Sequence, residues 1–172
     1  LDINDDGYLD VVIANSQQQM TRIWSADRQR WSQFEFPVSL VATDSNSPAG
    51  RFGVMAKDPP LQVSDDVLLI ADTKHGLAAW AFRHGSWIRL LSCFEGLPTD
   101  LSIQVDGQDQ GVRLRDFDGD GQSELWQSRP GNNRFWRWNK LKLCWEPADF
   151  QLPSGVQLDR KSTRLNSSHL VI

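Results

Sequence analysis

Apolar positions along the chain fall in short runs broken by turn residues, and no stretch of a dozen residues carries them at helical spacing. The clearest stretch reads Gly53–Lys57, Val67–Ala71, Leu77–Arg83 and Ser86–Phe94, with Pro59-Pro60, Lys74-His75-Gly76 and His84-Gly85 between. Each run has strand length and each break has turn chemistry, so the pattern predicts four short antiparallel strands and an all-β chain.

The same arrangement recurs. Trp24 and Trp31, Trp80 and Trp87, Trp138 and Trp145 form three pairs, each seven apart, with first members 56 and then 58 residues apart. Gly53-Val54-x-x-x-Asp58 matches Gly111-Val112-x-x-x-Asp116, and Asp10, Asp66 and Glu124 each precede an apolar run. Phe36-Pro37, Leu97-Pro98 and Leu152-Pro153 close the units. A four-stranded unit of about 57 residues suggests a β-propeller blade, which buries its faces only against neighbouring blades. The expected organisation is a propeller fragment of about three four-stranded blades: 1–50, 51–108 and 109–158. Propellers typically have about 4–8 blades, so the remaining blades of the same chain are expected partners.

Residues 159–172 break the pattern. Asp159–His169 resembles a translated short-read sequencing adapter over all eleven residues, and the segment is read as an appended artefact. Without it the chain carries 21 acidic and 15 basic residues, a net charge of −6. No Lys/Arg cluster offers a footprint for nucleic acid, and the longest aliphatic run, Val67–Ala71, is far short of the ~20 residues of a membrane-spanning helix.

The candidate chemistry lies in two acidic loops. Asp2-Ile3-Asn4-Asp5-Asp6-Gly7-Tyr8-Leu9-Asp10 reads D-x-N-x-D-G-x-x-D, and Asp116-Phe117-Asp118-Gly119-Asp120-Gly121-Gln122-Ser123-Glu124 reads D-x-D-x-D-G-x-x-E. Oxygens at positions 1, 3 and 5 point inward when the loop curls, glycine at 6 permits the sharp turn, a carbonyl at 7 adds a ligand and an acid at 9 closes the shell. A hard-oxygen set without His or Cys suits Ca²⁺, with Mg²⁺ second. An EF-hand would need Glu at position 12, where the chain has Ile13 and Gln127. By ligand charge, the Asp116 loop should bind more tightly than the Asp2 loop.

These loops in this repeat resemble the FG-GAP/VCBS repeat family, whose blades are similar to those of integrin α-subunit propellers. The resemblance covers residues 1–158. It implies calcium ligands at Asp2, Asn4, Asp6, the Tyr8 carbonyl and Asp10, and at Asp116, Asp118, Asp120, the Gln122 carbonyl and Glu124. The middle unit has Asp58, Pro60, Gln62 and Asp66 there, which implies a lost ion. Phe52-Gly53 matches the family's Phe-Gly element, while Gln110-Gly111 keeps only half of it. The resemblance implies a secreted, periplasmic or surface protein and no single activity.

The remaining candidates have plainer readings. The recurrent tryptophans are expected to pack between blades, whereas Trp136, aligned with Arg22 and Ala78, is expected to be exposed. His75 and His84 read as solvated turn residues, and Cys93 and Cys144 as buried thiols. Two functions fit: a non-catalytic adhesion scaffold whose rim loops, such as Thr43–Ala49, contact a protein or glycan, or the propeller of a large quinoprotein-dehydrogenase-like enzyme joined to a haem domain. The latter rests on connectors Leu97–Asp106 and Gly111–Asp116. No Cys-x-x-Cys-His haem motif occurs.

Overall fold

The computed structural model describes residues 1–42, 47–55, 66–129 and 132–150, with Asp66 and Asn132 by backbone alone. The described residues contain no helix, and the strands form successive antiparallel meanders. The first sheet has three strands, β1 (Val11–Ala14), β2 (Gln19–Ser25) and β3 (Arg30–Glu35). The second has four, β4 (Gly50–Met55), β5 (Asp66–Thr73), β6 (Gly76–Arg83) and β7 (Ser86–Leu90). A small hairpin, β8 (Gln104–Val105) and β9 (Gln108–Asp109), leads into the third sheet. That sheet holds β10 (Val112–Arg115), β11 (Glu124–Arg129), β12 (Asn132–Asn139) and β13 (Cys144–Pro147), paired in chain order like the second. Asp58, Pro60 and Gln62 of the middle loop, Thr43–Asn46 of the rim loop, the Leu152-Pro153 connector and the 159–172 tail lie outside the described residues.

The sheets stack because β5 is apolar on both sides. Successive strand residues face opposite ways. Leu68 and Ile70 accordingly pack with Val112, Leu114 and Leu125 of the third sheet, while Leu69 and Ala71 pack with Ala14 and Phe36 on the side of the first. All four are fully buried. Phe82 on β6 joins Ile3 and Ile23 in a further cluster with the first sheet. The second sheet is therefore the middle layer of three.

Several details differ from the sequence reading. The strand expected to reach Phe94 ends at Leu90, and Leu91 is 88% exposed. Beyond it the chain leaves the sheet to seal against β13: the Trp145 indole donates to the Cys93 carbonyl (2.7 Å) and the Trp145 amide to that of Glu95 (2.8 Å). Gly96 is required there, because it has a left-handed φ of 86° and a Cβ would lie 1.9 Å from the Trp145 carbonyl oxygen.

The tryptophan spacing is not one packing repeat. Trp24 faces Trp31 and Trp138 faces Trp145 across their strands, but Trp80 faces Leu69 and Arg89, and Trp87 faces Phe82. In the second sheet His84-Gly85 forms a two-residue turn, with φ of 50° and 78°, where the other two hairpins have four-residue loops. Trp31, expected between layers, is exposed. Trp136, expected at the surface, is 5% exposed, since it faces Leu125 and packs into the core with Leu114 and Trp145. His75 and His84 lie exposed in turns as expected. Cys93 is buried, and burial pushes its thiol up to about 12; Cys144 is only half-buried.

Polar ties hold the second and third layers at their inner strands. The Ser123 amide donates to the Val54 carbonyl (2.8 Å), and the Val54 amide to the Ser123 hydroxyl (3.0 Å). Arg51, with only 12% of its side chain exposed, donates through Nε to the Val112 carbonyl and through Nη2 to Asp109 Oδ2, both at 2.9 Å. Arg113 donates to both oxygens of the same carboxylate (3.0 and 2.7 Å). Burial pushes the Asp109 carboxyl up, but the Arg113 hydrogen bonds and the two guanidinium charges outweigh it and hold the pKa below its ordinary 3.8. A depressed folded pKa means the stability is present above pH 3.8 and lost as pH falls through the folded value. Asp109→Asn should lower stability by about 1–3 kcal/mol in urea unfolding at pH 7, and the gap should close in acid. A gap undiminished well below pH 3.8 would show that the charge is not its source.

Candidate functional site

The two acidic loops share one hydrogen-bond pattern. In each, the position-1 carboxylate accepts from the glycine amide at position 6: Gly7 to Asp2 Oδ2 (2.8 Å) and Gly121 to Asp116 Oδ2 (2.9 Å). The position-5 carboxylate accepts from the amide at 7: Tyr8 to Asp6 Oδ1 (3.0 Å) and Gln122 to Asp120 Oδ1 (2.8 Å). The position-9 acid reaches back to the amide at 2: Ile3 to Asp10 Oδ2 and Phe117 to Glu124 Oε2, both 2.8 Å. Both loops turn through left-handed residues at the same two places, Asp5 and Gly7 in the first, Gly119 and Gly121 in the third. Aspartate tolerates that region better than most side chains, so Asp5 can stand where the third loop has glycine.

Position 9 is buried and positions 3 and 5 are exposed. Asp10 is 6% and Glu124 1% exposed, whereas Asn4, Asp6, Asp118 and Asp120 face solvent. Burial pushes both buried carboxyls up; the amides at position 2 oppose the shift, and nearby loop carboxylates add to it. The position-2 side chains anchor the loops from below. Ile3 is buried against Ile23 and Phe82, and the Phe117 ring meets those of Trp126, Phe135 and Phe150 at 5.3–5.8 Å between centroids.

The structure brings Asp116, Asp118 and Asp120 together, with one oxygen from each within 4.8 Å of the others. Two oxygens bound to one Ca²⁺ at 2.3–2.6 Å can be at most about 5.2 Å apart, so the cluster is compact enough to share an ion. The donors are all hard oxygens, which fits calcium. Glu124 stands outside that group, since Oε2 holds the Phe117 amide and Oε1 lies 3.8 Å from Arg137 Nε. In the first loop, Asn4 Nδ2 donates to Asp6 Oδ2 (2.9 Å), and Asp10 spends its second oxygen on the Trp24 amide (2.9 Å). The Tyr8 and Gln122 carbonyls belong to the position-7 residues whose amides are already engaged within the loops. Arg137 is the participant the sequence reading missed: it pairs with Asp118 from β12, and only the β11–β12 register carries it there.

Set against known proteins, the chain matches no family model, no curated protein and no solved structure.

The burial contrast gives a test of which acids hold the fold. Asp10→Ala orphans two backbone amides and should lower stability by about 2–4 kcal/mol in denaturant titrations with chelator present. Asp6→Ala, at an exposed position, should change it by less than about 1 kcal/mol under the same conditions. Equal losses would show that the ninth-position acid has no special structural part.

Proposed function

We propose that the chain is a calcium-binding run of β-propeller blades within a larger secreted, periplasmic or cell-surface protein, acting as a non-catalytic interaction scaffold. The observation that carries this reading is the doubled loop: two hard-oxygen turns with matching hydrogen bonds, each entering a sheet at equivalent strands. The face-to-face stacking of meanders, with the middle one buried on both sides, supports the blade reading. The work this reading gives the ion is structural. One cation on positions 1, 3 and 5, joined by the position-9 acid, would tie a solvent-exposed turn to the strand that this acid opens.

A ligand that binds only the folded state stabilises it by ~2.7 kcal/mol at a hundredfold its dissociation constant. Calcium should therefore raise the melting temperature of the intact protein, and chelator should reverse the rise. Asp120→Ala should remove the third loop's share of that shift, while Asp58→Ala in the middle unit should leave it nearly whole. A chelator that leaves melting unchanged but abolishes a catalytic turnover would replace the scaffold reading with the enzyme one.

A further inference from the structure

Arg137 follows Trp136 on β12, and the pairing of Trp136 with Leu125 sets it over the third loop. Its Nη2 donates to Asp118 Oδ2, its Nε lies 3.8 Å from Glu124 Oε1, and its guanidinium carbon lies 5.5 Å from the centre of the Phe150 ring. The two carboxylates it meets are shared between loop and guanidinium. Asp118 Oδ1 accepts the Asp120 amide at 3.3 Å and Glu124 Oε2 the Phe117 amide at 2.8 Å, while their other oxygens face Arg137.

Among the described residues the first loop has no such group. The pairing of Val11 with Arg22 corresponds to that of Leu125 with Trp136, so Arg137 corresponds to Ile23, which is buried beside Ile3. The second oxygen of Asp10 is held by a backbone amide instead. The side-chain donor within that loop is Asn4, and an amide that rotates by half a turn offers its oxygen to an ion. A guanidinium has five donors and no acceptor, so it can never become a ligand.

We propose that Arg137 is a tethered counter-cation of the third loop, which neutralises Asp118 and Glu124 in the ion-free protein and must withdraw before a divalent ion can use them. The proposal rests on the calcium reading above. It reverses the ranking by carboxylate count: the Arg137 charge offsets the fourth carboxylate, and entry of the ion requires two contacts to break. About half of the Arg137 side chain is exposed, so it has solvent to swing into, and it weakens binding without blocking it.

The test is calcium calorimetry on the intact protein with one loop disabled at a time, Asp6→Ala leaving the third and Asp120→Ala leaving the first. The third loop should bind more weakly than the first. Arg137→Gln should tighten it by roughly three- to tenfold and leave the first loop's constant unchanged. Arg137→Lys, which keeps the charge but loses the fork, should fall between the two. In the wild-type protein, the Arg137 Nε–H resonance should move towards that of a solvated guanidinium at calcium saturation. Third-loop affinity that stays equal or weakens in Arg137→Gln, with both loops still binding, overturns the proposal and leaves the calcium reading intact. If neither loop binds calcium in any background, the calcium reading falls and this proposal falls with it.

Discussion

A strand with apolar side chains on both faces leaves its sheet no side for water. Val67–Ala71 is such a strand, and its burial compels a layer above and a layer below. Much of the remaining architecture follows. The first sheet needs only one apolar face towards the middle, so its outward face is free to carry Arg22 and Trp31. The outward face of the third instead keeps a second apolar layer, Trp126 and Phe135 under Phe117 and Phe150. Chain order is spatial order, because each meander finishes at its outer strand and a connector must return to begin the next.

The acidic loops obey a related constraint at smaller scale. Each is a turn with several amides and no ladder to receive them, and the aspartates accept those amides before any ion is considered. The acid at position 9 is the deepest of these acceptors, buried under the loop that it closes. A cation would thus meet a turn already curled by hydrogen bonds, and its contribution would be to relieve the repulsion among exposed carboxylates rather than to create the curl.

How much of this could be read from the sequence depended on the range of the interaction. The strands of the second sheet and the loop glycines were legible because turn residues and two-residue alternation act locally. The β8–β9 hairpin carries a local signal too, Asp106-Gly107 with φ of 48° and 74°, a common signal for a two-residue turn, at the end of the Leu97–Asp106 connector. Cross-strand register was not legible. Trp80 and Trp87 keep the seven-residue spacing of the other pairs, yet a shorter turn slides one strand past the other, so they are not opposite one another and join the same cluster only diagonally. Trp136 was misplaced and Arg137 overlooked for the same reason: both are set by which residue of β11 lies opposite, which no local pattern states.

The contact between the second and third sheets is uneven from one edge to the other. At the inner edge, backbone meets backbone: a Cβ on Gly53 would lie 2.9 Å from that of Leu114, and Val54 bonds directly to Ser123. At the outer edge, the chain from Leu91 to Ile103 runs between them, with Cys93, Leu101 and Trp145 filling the space. The two sheets therefore diverge like pages held at a spine, and the thickness of that inserted segment sets the angle between them. An array built on this joint would turn by a fixed step at each sheet, so its curvature would be written in a connector rather than in the strands.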